Sequence, residues 1–193
     1  MSYSRQINPH FLYNTLDIIV WMIENEKQAD AVKVVTALAR FFRISLSRGK
    51  SIIPVRDELE HVRNYLMIQH MRFKNRFTYE IEADEDVMEL ASVKLILQPL
   101  VENSMLHGLK ECISDGEIRV RARRVGADVV ITVTDNGCGF DTRHPHIGNG
   151  KRRSVGMANI AERMELNGGE FRIFSRIGWG TCAKIIIKGE MKA

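Results

Sequence analysis

Four short stretches of this sequence place side chains where they can act together on one ligand. Glu102-Asn103 stands late in an apolar run, and Asp135-Asn136-Gly137-Cys138-Gly139-Phe140 follows an alternating one. Ser154-Val155-Gly156-Met157 precedes a periodic run, and Gly178-Trp179-Gly180-Thr181 opens another. Each residue type has a use at a nucleotide. An amide oxygen such as that of Asn103 suits Mg²⁺, a hard cation that takes oxygen ligands. A partly buried Asp at a strand end, as at Asp135, accepts from an exocyclic amine. Glycines two apart beyond it let the backbone approach a flat ring and adopt positive φ. A glycine at a helix start, as read for Gly156, offers N–H groups to phosphate. Singly, each has a plainer reading: Asp135-Asn136-Gly137 as a turn, Asn103 as a helix-end hydrogen bonder. The combination favours the nucleotide.

Two commoner nucleotide signatures are absent. Arg48-Gly49-Lys50-Ser51 has the end of a P-loop, but Ile44 stands where its first glycine belongs. Gly137-Cys138-Gly139 lacks the third glycine of a dinucleotide fingerprint, since Thr142 is there. Among the histidines, His61 and His70 read as solvated or packing residues, and His144 and His146 as parts of a loop. Lys151, Arg152 and Arg153 are equally readable as phosphate contacts or as a solvated loop.

The elements that must position these groups follow from periodicity. The first 75 or so residues repeat at three- and four-residue steps. Asn8-Pro9 caps and starts a helix with Phe11, Leu12, Thr15, Leu16, Ile19, Met22 and Ile23 on one face. A second helix spans about Ala29–Ser47, with Val32, Val35, Leu38, Ala39, Phe42 and Leu46 as its stripe, and Gly49 beyond its end. A third begins near Pro54, with Asp57 and Glu58 in its first turn, where the dipole favours acids. Then the pattern changes. Phe77–Ala83 alternates as a strand, Val93–Leu109 reads as an apolar helix, and Gly116–Arg124 as a strand with Ile118, Val120 and Ala122 opposite Arg119, Arg121 and Arg123. Asp128–Thr134 is the next strand. Gly137–Gly156 reads as a long loop over an anion, Met157–Leu166 as a helix, and Glu170–Ser175 with Thr181–Lys188 as a closing hairpin.

Composition narrows the class. The chain has 193 residues, 45% hydrophobic and 27% charged, the balance of a folded globular protein rather than a disordered or fibrous one. It has no run of apolar residues long enough to span a bilayer. Three cysteines, Cys112, Cys138 and Cys182, form neither a C-x-x-C site nor an even framework, and read as reduced thiols. The net charge of +4 arises from 28 basic and 24 acidic residues, too mild an excess to indicate nucleic acid.

Taken together the motifs resemble one family. Leu97-Gln98-Pro99-Leu100-Val101-Glu102-Asn103-Ser104 with His107-Gly108 is similar to the N box of the GHKL ATPases. Asp135-x-Gly137-x-Gly139 is similar to their G1 box, Val155 to Ile160 with Glu162-Arg163-Met164 to a G2 box, and Gly180-Thr181 to the closing Gly-Thr. Gln6-Ile7-Asn8-Pro9-His10-Phe11-Leu12-Tyr13-Asn14 resembles the phosphoacceptor box of LytS/YesM-type sensor histidine kinases. Glu58-Leu59 and Tyr65-Leu66-x-Ile68-Gln69-x-x-Arg72-Phe73 fit the same branch. Three positions depart from wider practice: Phe11 follows His10 where many kinases have an acid, and Pro99 and Ser154 stand where Asn or Glu, and Gly, are common.

The resemblance implies an α+β protein. A helical dimerisation and phosphotransfer region, 1–76, would precede a Bergerat-type α/β sandwich, 77–193, with a mixed, largely antiparallel sheet and helices on one face. It implies ATP and Mg²⁺ as cofactors, with His10 as phosphoacceptor, Asn14 one helical turn on as a water-orienting residue, and Glu102 as the nearest proton acceptor. Asn103 would hold Mg²⁺. His107, Asp135, Gly137, Gly139, Gly156, Met157 and Thr181 would bind the nucleotide, Asp135 through the adenine amine. The phosphoryl group would pass to an aspartate in a response regulator receiver domain. A homodimer through the N-terminal helices is implied, as is a cytoplasmic location, at the end of a larger sensor anchored in the cell membrane. The alternative is a GHKL module that binds ATP and its regulator without phosphorylating itself.

Overall fold

The computed structural model describes residues 9–47, 51–74, 76–105, 115–142 and 150–189, with only the backbone of 150–155. Asn8, Gly49, His107, Gly108, His144, His146 and the side chains of Lys151, Arg152 and Arg153 therefore lie outside the described residues. The chain forms two compact units, residues 1–49 with 60–75, and residues 50–59 with 76–193.

In the first unit, α1 (Pro9–Glu24) and α2 (Gln28–Leu46) are joined by a tight turn in which Glu26 adopts φ 57°. Phe11, Thr15, Ile19 and Met22 are the buried positions of α1, as its spacing predicts, whereas Leu16 and Ile23 face outward. For α2 the expected stripe is displaced by one residue. Ala31, Val34, Ala37, Leu38, Phe41 and Ile44 are buried, while Val32, Val35 and Leu46 are exposed. The helix carries two apolar faces, and periodicity alone does not say which one a single chain buries. The later part of α3 (Val55–Arg72) completes this unit. There Phe41 lies 5.0 Å from Phe11 and stacks on His61 at 4.2 Å, and the Ser45 hydroxyl meets His61 Nε2 at 2.8 Å. His61, only 1% exposed, is thus a packing residue.

The second unit is built on a five-stranded sheet. Its strands are β2 (Phe77–Ala83), β4 (Gly116–Val125), β5 (Asp128–Asp135), β6 (Glu170–Arg176) and β7 (Gly180–Ile187), in the order β2-β4-β5-β7-β6. Only the β2–β4 pair is parallel, which makes the sheet mixed and largely antiparallel. One face carries Ile118, Val120, Ala122, Ile131, Val133 and Ile185, all buried. The other face explains the arginine cluster of β4. Glu80 pairs with Arg119 and Glu82 with Arg121, and Arg123 bonds both Glu82 and Asp84. Those arginines are neutralised by a solvated ladder of acids, so they form no patch for a polyanion.

Three boundaries differ from the sequence reading. Ala91–Val93 is not helical; it is a strand, β3, paired antiparallel with β1 (Ile52–Pro54). The helix expected from Val93 starts later, as α4 (Gln98–Asn103). The loop expected to run to Gly156 gives way to α5 (Gly150–Leu166), which begins several residues earlier than Met157. Asn167 and Gly168 then turn the chain into β6, and the Gly169 N–H donates to the Met164 carbonyl at 2.8 Å.

Candidate functional site

Asp135 is the last residue of β5 and is 8% exposed. It is held twice: the Ser104 hydroxyl donates to Oδ2 at 2.7 Å, and the Gly137 N–H donates to Oδ1 at 3.0 Å. A carboxylate offers about four acceptor sites over its two oxygens. The β5–β7 register sets Thr181 beside it. The Thr181 hydroxyl lies 3.0 Å from that of Ser175, which also takes the Phe140 N–H at 2.9 Å.

The loop after Asp135 is closely packed. Gly139 has φ 62°, and a Cβ there would sit 2.0 Å from the Arg176 carbonyl oxygen. Gly180 has φ 83°, and a Cβ there would sit 2.0 Å from the Asp135 carbonyl oxygen. Both positions require glycine on conformational and steric grounds at once. The Gly178 N–H also donates to the Cys138 carbonyl at 2.7 Å, tying the β6–β7 turn to this loop. Gly139→Ala is therefore expected to lose about 1–3 kcal/mol of stability, since a strained backbone and a backbone clash coincide. Thermal unfolding followed by circular dichroism checks this, and an unchanged melting temperature would contradict the packing.

These groups border a concavity of about 310 Å³, part of it open to solvent. Leu100, Asn103 and Ser104 line it from α4 and the residue after it, Asp135 and Phe140 from β5 and its loop, and Met157 from α5. Ile173, Thr181 and Ala183 complete it from β6 and β7. The lining has the usual character of small-ligand sites, apolar walls with a few convergent polar groups. Four of the sequence-predicted residues, Asn103, Asp135, Met157 and Thr181, thus meet at one cavity. Gly137 and Gly139 lie in the loop between the lining residues Asp135 and Phe140 and are not themselves in the lining.

Others fall elsewhere. Glu102 is outside the lining; burial raises its carboxyl above the usual range, and the Gln98 amide, 2.8 Å away, opposes that. Gly156 is not at a helix start but well inside α5, where its N–H is directed along the helix ladder. The helix-start position read for Gly156 is therefore not where the structure places it. Sequence reasoning passed over Ser104 and Ser175. Ser104 adjoins Asn103, yet nothing in its spacing signals that it reaches Asp135, 31 residues on.

His10 and Asn14 belong to the first unit. Phe11, buried, anchors α1 and leaves the adjacent His10 on its exposed side. The Asn14 amide nitrogen lies 2.9 Å from His10 Nδ1 and 3.3 Å from Nε2, the one-turn contact that the four-residue spacing predicts.

Among the described residues no cluster of three or more His, Cys, Asp and Glu is arranged to hold a metal. A lone amide oxygen, that of Asn103, fits a cation that keeps most of its ligands from water and phosphate, the habit of Mg²⁺.

Comparison with known proteins gives the family of the chain and its fold. The histidine kinase family model matches residues 1–77. The histidine kinase-, DNA gyrase B- and HSP90-like ATPase model matches residues 89–190. The sensor histidine kinase YesM of Bacillus subtilis is 38% identical over 94% of this chain and 32% of its own length. The sensor protein LytS of Oceanobacillus iheyensis is 32% identical over 82% of this chain and 28% of its own length. The chain thus spans about a third or less of those relatives. A histidine kinase domain from an Erythrobacter litoralis blue-light activated histidine kinase shares the fold, with a TM-score of 0.55 at 19% identity over 92% of both chains.

Proposed function

The chain belongs to the sensor histidine kinases and carries their ATPase domain, and from that premise we propose that it binds Mg·ATP in the cavity of the second unit and transfers the γ-phosphoryl group to His10. The observation that carries this reading is the meeting of Asn103, Asp135, Met157 and Thr181 at one cavity. Asp135 accepts from the adenine amine while Ser104 and the Gly137 N–H hold its carboxylate in place. Asn103 gives its amide oxygen to Mg²⁺. The bound cation neutralises charge on the phosphates.

At His10 the ring nitrogen carrying the lone pair attacks phosphorus, the bond to the bridging oxygen breaks, and ADP leaves. Turning the Asn14 amide over sets its oxygen against Nδ1–H, which makes Nε2 the nitrogen with the lone pair. The reaction needs position and charge neutralisation more than covalent help. Glu102, whose carboxyl is raised by burial, is the proposed proton acceptor. The phosphoryl group then passes to an aspartate of a receiver domain, and the parent sensor is membrane-anchored with this region on the cytoplasmic side. No described helix is long and apolar enough to cross a membrane. A homodimer through α1 and α2 is supported by their second apolar face, on which Leu16, Val20, Ile23, Val32 and Val35 are all at least 45% exposed.

Asp135→Asn tests the nucleotide reading. Guanine presents a carbonyl where adenine has its amine, so the carboxylate opposes it with acceptor against acceptor. A hydrogen bond to a charged group contributes about 1.5–3 kcal/mol, or about one to two decades of affinity. Calorimetry should show the variant binding ATP that much more weakly, with reduced preference over GTP. Undiminished preference for ATP would remove Asp135 from the adenine site.

A further inference from the structure

Glu58 stands in the first turn of α3 with no exposed surface. Its carboxylate accepts backbone N–H groups from three consecutive residues: Leu95 on Oε1, and Ile96 and Leu97 on Oε2 at 3.0 and 3.2 Å. The same peptide segment is gripped through its carbonyls by Arg163 of α5, which donates to Lys94 O at 2.5 Å and Leu95 O at 3.3 Å. Leu95 itself adopts φ 55°, a costly conformation for a leucine that persists only where surroundings impose it. α4 begins immediately afterwards and has no side-chain cap of its own.

We propose that Glu58 and Arg163 are positioning residues for the nucleotide site, forming a two-sided clamp on Lys94–Leu97 that sets the direction of α4 and ties it to α5. The inference rests on the Mg·ATP reading of the cavity. α4 carries Leu100 and Asn103 to that cavity, and α5 carries Met157. A shift in the lead-in of α4 would move the Asn103 amide, and small displacements of a positioning element reduce binding disproportionately.

A buried carboxylate is a costly way to hold a loop. It desolvates a charge that only full hydrogen bonding offsets. What it supplies is acceptor capacity: two oxygens facing three N–H donors, with no donor of its own. Glutamine at this position would set an NH₂ group against one of those N–H groups. Burial pushes the Glu58 carboxyl from 4.5 up to about 7, against the pull of the three N–H groups and the nearby Arg163 charge. Lys94, its own ammonium lowered by burial, is the other cation acting on it. The folded chain thus holds this proton more tightly than the unfolded one does. The corresponding stability is fully present below about 4.5 and is lost as pH rises through about 7. The clamp has the opposite trend, since the ionised form accepts the three N–H groups more strongly and carries no donor of its own.

The test uses the full chain and Glu58→Gln. In the parent, the amide proton resonances of Leu95, Ile96 and Leu97 should titrate together near neutral pH, and in the variant they should not. Mg·ATP affinity should be about tenfold weaker in the variant at pH 8, the worth of one charged hydrogen bond, and nearly equal to the parent's at pH 6. Protonation of the nucleotide is common to both proteins and cancels in the ratio. Should Glu58→Gln fail to fold, Arg163→Lys takes its place, since lysine cannot bridge two carbonyls with a planar fork; its affinity should fall about fivefold. A parent that binds Mg·ATP, with the ratio unchanged between pH 6 and 8 or Arg163→Lys matching the parent, overturns the clamp and leaves the cavity reading standing. A parent that binds no Mg·ATP overturns both.

Discussion

His10→Gln should abolish self-labelling by γ-labelled ATP while leaving Mg·ATP affinity near that of the parent. The two effects separate because the groups lie on different parts of the chain. In the proposed function the imidazole supplies the nucleophile, and Asn103, Asp135 and the glycine loop supply the binding. Glutamine is helix-compatible, and His10 is exposed on α1 with Phe11 as the buried anchor beside it. The helix should therefore survive. Loss of label should be complete rather than partial, since a carboxamide nitrogen has no available lone pair to attack phosphorus. The measurement is single-turnover labelling alongside calorimetry. Labelling of the variant equal to the parent would place the phosphoacceptor elsewhere.

Asn103→Ala should lose Mg·ATP binding by about one to two decades, the range for removing a hydrogen-bonding partner of a charged group. Asn103 is the last residue of α4 and borders the cavity beside Ser104, which is already committed to Asp135. Glu102 is turned to Gln98. Among the described lining residues, a second neutral amide oxygen to take over the cation is therefore absent. The deficit should shrink when Mg²⁺ is withheld, because ATP without the cation does not use the amide. Titrations with and without Mg²⁺ separate this from a general loss of fold. Equal Mg·ATP affinity for parent and variant would remove Asn103 from the site.

How far the sequence could be read depended on the range of the interactions. The strict alternation of Ile118, Val120 and Ala122 with arginines reports a strand half in water, and the structure buries those three fully. The spacing of His10 and Asn14 needs one helical turn to become a contact. Asn103, Asp135 and Thr181 stand out in the sequence by residue type and order, and the structure brings them to one cavity. The helix read from Val93 starts too early because Val93 ends a strand, Ala91–Val93, whose partner is Ile52–Pro54, about 40 residues away, and local pattern carries no trace of that pairing. The buried stripe of α2 was misplaced because both candidate faces are apolar. Sequence pattern assigns Ser104 no role of its own and gives Glu58 only a place in the first turn of a helix. Their partners, Asp135 and the Leu95–Leu97 backbone, become neighbours only through the fold.

The central claim is that this chain makes phosphohistidine from ATP, and the chemical stability of the label tests it most directly. The parent is incubated with γ-labelled ATP and Mg²⁺, denatured, and divided between acid and base. A phosphoramidate is protonated on nitrogen in acid and expels phosphate, whereas base leaves it intact. A serine phosphate behaves the opposite way. The account predicts a label lost in acid, retained in base and absent from His10→Gln. An acid-stable, base-labile label, or none at all with Mg·ATP bound, would contradict it.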